Sequence, residues 1–328
     1  MSTTVSLSEA VVTTMAEAAR MAPSIHNSQP WSFQRLPDGL AVREDVSRAL
    51  PVIDPHGRER AISCGAAVLN ALVALQGGGY SGSVSVCPDP GDPALLGVVR
   101  AVQPRPADPA TAELMAAIPR RRTHRRVYRS HVVAEADLLA MREAVSAQGA
   151  RLDVADTAAR RQLAHLMRRA LRDQLADREL RREAEGWVRR SGPPTGQVDI
   201  DGIPATSLGN FAFPVDSLAH AGNRGDGDAG VVEEELARST VLVISTRGDT
   251  RPDWVMAGMA VERLLLVATV KELVASFAEQ ALQREDTRQE VAQTLGQWGR
   301  PQVLLRIGRA LVDTPPTPRR PMVDLLRS

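Results

Sequence analysis

Hydrophobic residues near the N-terminus recur at the spacing of an amphipathic helix. The apolar positions run from Val11 to Ala19 with three or four residues between neighbours on one face. Ser6 and Glu9 form a capping-box pattern before them, and Pro23 stops the helix after them. The first loop of the chain therefore begins just before Pro23.

The rest of the chain alternates between strand and helix patterns in two blocks. In the first block, a helix near residue 60 presents an apolar face and ends at three glycines, 77–79. Prolines between 104 and 109 form a plausible junction, and the second block contains a long amphipathic helix over 163–175. The predicted strands are 32–36, 40–46, 83–87, 95–103, 241–246 and 303–310.

The helix predicted over 254–270 aligns with the helix after residue 60, which indicates a duplication. An offset of 193 residues, which is 258 minus 65, pairs Gly65 with Gly258, Ala67 with Ala260, Val68 with Val261 and Leu72 with Leu265. Small residues at matched positions are typical of two helices that cross closely about a pseudo-twofold axis. Chance agreement between two apolar helices explains the match equally well on this basis alone.

Residues 191–230 form a glycine- and proline-rich stretch that is longer than ordinary connections in compact domains. Such loops are usually lids or disordered segments. The apolar residues Ile203, Leu208 and Phe211 favour a segment that packs on the protein surface over a free linker.

Composition narrows the functional classes. The 328 residues are 43% hydrophobic, and 40 basic residues balance 39 acidic ones to a net charge of +1. This balance argues against a dedicated nucleic-acid-binding surface. Cys64 and Cys87 fit reduced thiols and a cytoplasmic location. No apolar run is expected to reach the roughly 18 residues of a membrane span.

The string APSIHNSQPW at 22–31 is the first candidate for chemistry. Two prolines stiffen it, and Ser24, Asn27 and Gln29 offer hydroxyl and amide groups. Such groups on a nearly fixed backbone suit recognition of the polar edge of a planar heterocycle. A capped helix terminus followed by an ordinary turn is the alternative interpretation.

The second candidate is the arginine-rich run at 120–126, which contains five guanidinium groups in seven residues. Arginine binds phosphate through planar bidentate hydrogen bonds, so the run suits a phosphate site. On motif statistics alone, a solvated charge run or a nucleic-acid patch is the better interpretation.

Other motifs carry less weight. Residues 77–82 satisfy G-x-G-x-x-G, but they follow a helix and precede a strand, which predicts a turn and not a dinucleotide site. Ser63 and Cys64 lack a paired base nearby, so Cys64 is predicted to be a packed thiol. The scattered histidines, which predict no metal site, are His26, His56, His124, His131, His165 and His220.

The string at 22–31 resembles the N-terminal signature APSxxNxQPW of the FMN-dependent nitroreductase family. The arginine run is similar to that family's phosphate-gripping motif, and Arg319 in TPRRPM resembles its closing arginine. The resemblance implies an α+β nitroreductase fold and FMN as cofactor. The cofactor-binding residues that it implies are Pro23, Ser24, Ile25, Asn27, Gln29, Arg121, Thr123, Arg125 and Arg319.

The order of these motifs is unusual for that family, because the arginine motif follows the signature loop by about ninety residues. This order is similar to the Acg-type branch of actinobacterial nitroreductases. The resemblance implies two fused half-units, 1–110 and 111–328, that mimic a homodimer in one monomeric chain with one FMN site. The stretch at 191–230 would be a lid over the flavin.

Two functions remain open. The resemblance implies either an FMN-binding protein with weak or no NAD(P)H-driven reductase activity, which would store flavin, or an NAD(P)H-dependent reductase of nitroaromatics or quinones by a ping-pong hydride mechanism. No catalytic side chain of the chain itself is expected, since the flavin carries the hydride chemistry. A nucleic-acid-binding protein that uses the arginine run is the third hypothesis, and no membrane partner is expected.

Overall fold

The computed structural model describes residues 5–129, 132–189, 200–207 and 234–327, which form an α+β fold. The helices are α1 Glu9–Arg20, α2 Arg58–Gly77, α3 Pro109–Ala117, α4 Glu135–Ser146, α5 Thr157–Ala176, α6 Arg178–Gly186, α7 Arg251–Val270, α8 Glu285–Thr294 and α9 Met322–Leu325. The strands are β1 Trp31–Leu36, β2 Gly39–Glu44, β3 Tyr80–Val86, β4 Leu95–Pro104, β5 Arg151–Val154, β6 Val188–Arg189, β7 Ile203–Pro204, β8 Thr240–Thr246, β9 Val274–Phe277, β10 Arg300–Gly308 and β11 Leu326–Arg327.

The helix ends follow from side chains that cap the backbone. Helix α1 begins one residue after Ser8, whose hydroxyl accepts a hydrogen bond from the Val11 amide at 3.4 Å. The predicted capping box at Ser6 is therefore wrong, because the chain enters the helix two residues later. Helix α7 begins with a capping box formed by Thr250 and Asp253.

Two antiparallel sheets repeat one topology. Among the described residues, the first sheet has the strand order β11-β1-β2-β4-β3 and the second has β5-β8-β10-β9. In each half a helix precedes the first strand, a long helix follows the second, and two more strands close the sheet. In the second half, α5, α6, β6 and β7 come between the first two strands, β5 and β8. The predicted duplication is confirmed, and β11 from the C-terminus adds a parallel edge strand to the first sheet.

Helices α2 and α7 cross at the two glycines that the 193-residue offset pairs. A Cβ atom placed on Gly65 would lie 2.1 Å from the carbonyl oxygen of Val255, and one on Gly258 would lie 2.0 Å from that of Ile62. The two contacts are related by the same offset, since 255 minus 62 is also 193. The crossing is therefore pseudo-twofold, and only glycine permits the backbones to approach so closely.

Helix α2 is the central helix of the first core. Its length and composition would suit a membrane span, so the expectation that no apolar run reaches that length is wrong. Most of that apolar window, 78%, is buried among the described residues. Trp31 and Phe33 of β1 pack in the same core, as do Leu114 of α3 and Leu325 of α9. Segments after residue 110 thus contribute to both halves.

We expect Gly65→Ala and Gly258→Ala each to lower the free energy of unfolding by about 2 kcal/mol or more, because the new methyl group forces the helices apart. Urea denaturation measures this change. The double variant should cost less than the sum, since one displacement accommodates both methyl groups. The exposed Gly186→Ala, whose Cβ would meet no atom within 4 Å, is the control. Unchanged stability of both single variants would contradict the close crossing.

Candidate functional site

A two-part cleft lies beside the crossing of α2 and α7. Its wide part has a volume of about 770 Å³ and its basic part about 470 Å³, in each case counted out into the solvent at the mouth. The two parts share Pro23, Ser24, Thr123 and Arg125. The signature loop and the arginine run, which are distant in sequence, therefore meet at the neck of one cleft.

The signature loop is held in an unusual backbone conformation. Its 3₁₀ turn covers Ile25–Asn27, and His26, Asn27 and Gln29 have φ angles of 47°, 55° and 50°. Left-handed φ angles are rare in non-glycine residues and mark functional sites when the surrounding structure enforces them. The Ser24 hydroxyl accepts a hydrogen bond from the backbone N–H of Gln29 at 2.9 Å, which fixes the turn.

The two amide side chains of this loop are engaged by the protein itself. The Asn27 amide donates to the Gly202 carbonyl at 2.8 Å and accepts from Arg319 at 3.0 Å. Gln29 accepts from the backbone amide of Arg320 at 2.8 Å and lines neither part of the cleft. Asn27 borders the basic part. Through these hydrogen bonds, both residues tie the loop to other segments of the chain.

The basic part collects the predicted phosphate-binding residues. It is lined by Arg121, Thr123 and Arg125 from the arginine run and by Arg319 from the C-terminal segment. Within the described part of the chain, Nε of Arg121, Nη1 of Arg125 and Nε of Arg319 are buried without a hydrogen-bond partner. Unpaired buried donors are costly, so this end of the cleft favours an anion.

Burial and mutual repulsion lower the pKa values of these arginines. Burial, followed by the charge of Arg121, lowers the pKa of Arg125 to about 10 and that of Arg319 to about 9. An anion between the guanidinium groups would offset the charge repulsion and raise both pKa values. Arg319 also donates to the Met21 carbonyl at 3.1 Å and to Thr317 Oγ1 at 2.6 Å, so its position is fixed.

The arginine run does not form one surface. Arg120 is exposed, whereas Arg121 is 5% exposed and Arg122 lines the basic part. Arg126 lines neither part of the cleft and donates to the carbonyl of Thr206 at 2.6 Å. The run therefore contributes Arg121, Arg122, Thr123 and Arg125 to the cleft and Arg126 to the segment that borders it.

The wide part has apolar walls. It also contains two carboxyl groups, of Glu59 and Glu279, that the sequence did not predict. Its apolar lining residues are Ile25, Ile62, Ala66, Ile203, Val261, Phe277 and Val303. Burial raises the pKa of Glu59 to about 7, and burial with the charge of Glu59 raises the pKa of Glu279. In the sequence, Glu59 directly follows the string DPHGR at 54–58, whereas no motif marks Glu279.

Residues 200–207, which we call the strap, cross one side of the wide part. Gln29 donates to the Ile200 carbonyl at 2.8 Å, Asp201 forms an ion pair with Arg48, and the buried Ile203 lines the cleft. The strap is the described portion of the predicted lid. The remainder of 191–230 lies outside the described residues.

The other sequence motifs do not form further sites in the described ranges. The glycines after α2 form the predicted turn into β3. Cys64 is buried, and Cys64 and Cys87 are unpaired by disulfide. Among the residues that the structure describes, no cluster of His, Cys, Asp and Glu is arranged to hold a metal ion.

No family model matches this chain. Two proteins of Mycobacterium tuberculosis strain H37Rv are similar to it over nearly their full lengths. One, provisionally named NAD(P)H nitroreductase Rv3131, is 33% identical over 324 residues, which cover 97% of this chain and 91% of that protein. The other, provisionally named NAD(P)H nitroreductase acg, is 31% identical in an alignment of 332 positions, gaps included, that covers 96% of this chain and 95% of that protein.

Solved structures of lower similarity include two nitroreductases. The FMN-dependent nitroreductase NfnB of Mycobacterium smegmatis, in complex with NADPH, is 17% identical, covers 67% of this chain and 99% of its own, and has a TM-score of 0.42. A Bacteroides fragilis nitroreductase with bound FMN is 15% identical, covers 62% and 93%, and has a TM-score of 0.38.

We expect the carboxyl of Glu59 to make stability depend on pH. Its pKa is raised from 4.5 to about 7 in the folded protein. Its contribution to the free energy of unfolding is therefore fully present below pH 4.5 and is lost as the pH rises through about 7. Glu59→Gln should remove the loss of stability that ionisation of Glu59 causes, and it should raise the melting temperature at about pH 8 by a few degrees. Calorimetry at several pH values measures the effect. The exposed Glu113→Gln is the control, and identical pH profiles of all three proteins would refute the assignment.

Proposed function

This chain belongs to the nitroreductase family, and we propose that it holds one FMN in the two-part cleft. The observation that supports the proposal most strongly is the joining of a basic part and an apolar wide part at one neck. A phosphorylated, ring-bearing ligand requires that combination of surfaces.

The residues of the basic part fit a phosphate monoester. Arg121 and Arg125 have buried N–H groups without hydrogen-bond partners among the described residues, and the hydroxyl of Thr123 lies between the two parts. Arg319 would close the site from the C-terminal segment. Charge-assisted hydrogen bonds to phosphate would satisfy the unpaired donors and offset the repulsion between the guanidinium groups.

The wide part fits a flat heterocycle. Ile62 and Ala66 of α2 and Val261 of α7 supply apolar contact from both central helices, and Pro23 and Ile25 supply it from the signature loop. The bound flavin would supply the hydride chemistry. The chain itself would orient the ring, exclude water and provide polar groups from Ser24 and the backbone of the signature loop.

We propose that the chain stores FMN, with weak or no NAD(P)H-driven turnover, and does not act as a rapid reductase. The strap supports this choice, because Ile203 occupies part of the space beside the wide part and Asp201 ties the strap to Arg48 and Arg189. A nicotinamide ring needs an open slot against the flavin. The halves at 1–110 and 111–328 would act as one monomer with a single site, and the lone arginine motif supports that number.

One observation favours the alternative, an NAD(P)H-dependent reductase of nitroaromatics or quinones. Glu59 and Glu279 border the wide part with raised pKa values, so either carboxyl would be able to donate a proton to a reduced acceptor. The nucleic-acid hypothesis loses support, because Arg121 and Arg125 line the cleft. Reduced thiols at Cys64 and Cys87 fit a cytoplasmic protein.

Arg121→Ala and Arg319→Ala should each weaken FMN binding by about 10- to 100-fold, because each removes a charge-assisted contact worth roughly 1.5–3 kcal/mol. Fluorescence titration measures the dissociation constant. Binding of riboflavin, which lacks the phosphate, should change little for Arg121→Ala. The neighbouring exposed Arg120→Ala is the matched control. Equal FMN affinity in all four proteins would exclude this phosphate site.

Ile203→Ala should speed FMN dissociation by on the order of tenfold, which corresponds to about 1.4 kcal/mol of lost apolar contact. It should also raise the rate at which added NADH reduces the bound flavin. Ile200→Ala, whose side chain is 39% exposed on the same strap, is the control. Stopped-flow absorbance gives both rates. If the two variants behave alike, the strap does not cover the ligand.

A further inference from the structure

A buried glutamate lies against the basic part of the cleft, outside the residues assigned so far. Glu262 sits in the middle of α7 with 0% of its surface exposed, and its Oε1 is 3.8 Å from Nε of Arg121. This distance is too long for a hydrogen bond. Within the described residues, neither carboxylate oxygen has a hydrogen-bond partner.

The surroundings of Glu262 come from three elements. Arg121 faces it from the segment after α3, Arg319 from the C-terminal segment, and Asn70 from α2. Asn70 is also fully buried, and its amide acts on the Glu262 carboxyl and lowers its pKa, although no hydrogen bond of normal geometry joins the two side chains. An amide offers both a donor and an acceptor, so Asn70 is able to serve a carboxylate or a protonated carboxyl.

We propose that Glu262 is a proton-linked counter-charge of the phosphate site. Ionised, it neutralises Arg121 when no anion is bound, and it takes up one proton from solvent when a phosphate monoester enters. The carboxylate and one proton become a neutral carboxyl group, with no other bond changed. This inference rests on the proposed binding of FMN and adds a residue to that same site.

The electrostatics favour this exchange. Burial raises the pKa of Glu262 to about 7, although Arg121 and Arg319 lower it. A phosphate dianion would weaken the effect of both arginines and repel the carboxylate, so the pKa would rise further. The N–H groups of Arg121 are not taken by Glu262, since no hydrogen bond joins them, and they stay available to the ligand.

Isothermal titration with FMN at about pH 7.5, in two buffers of different ionisation enthalpy, measures the protons taken up on binding. We expect about half a proton to one proton for FMN and none for riboflavin. The phosphate of FMN, with a second pKa of about 6, is then already ionised. Arg319 and Arg125, with pKa values of about 9 and 10, remain protonated at that pH.

The affinity for FMN should fall by about tenfold for each pH unit above about pH 7.5. Glu262→Gln should abolish the proton uptake and flatten this dependence, while Glu272→Gln, an exposed residue just after α7, should preserve both. If Glu262→Gln does not fold, the proton uptake of the wild-type protein still decides. FMN binding without proton uptake would overturn this inference alone, whereas a protein that binds no FMN would overturn the proposed function.

Discussion

The contact between α2 and α7 at Gly65 and Gly258 is the constraint on which the rest of the structure depends. A helix pair with side chains at these positions would stand apart, and the two sheets would separate with it. At the observed distance, Ile62 on one helix and Val261 on the other reach the same cleft. The site is thus a product of the duplication, because each central helix belongs to a different half.

The second constraint is the cost of burying charge. Arg121 and Arg319 are held away from water with unpaired N–H groups, and Glu59 and Glu279 are held at the opposite end with raised pKa values. Such an arrangement lowers the stability of the free protein. It is consistent with a site built for a ligand whose phosphate and ring differ in polarity. The left-handed backbone of the signature loop stores further strain at the neck that joins the two ends.

The sequence predicted the repeated helices and six of the eleven described strands, because hydrophobic periodicity and the paired glycines report local packing directly. It placed Arg121 and Arg319 in one site only through a family resemblance, since nothing local shows that segments two hundred residues apart meet. It did not reveal Glu279, whose role depends on burial beside another carboxyl. It also did not show that the amide of Gln29 is used by the backbone of Arg320. Burial and the choice of hydrogen-bond partner depend on the tertiary fold. They are therefore not visible in the residues next to one position of a single sequence.

The most direct test of the central claim is anaerobic mixing of the protein, after incubation with FMN, with NADH and with NADPH while the visible flavin absorbance is followed. Flavin storage predicts a yellow protein that dithionite bleaches at once and that either nicotinamide bleaches only slowly. Rapid bleaching by a nicotinamide would contradict flavin storage and establish a reductase. A protein that takes up no FMN would contradict the cleft assignment itself.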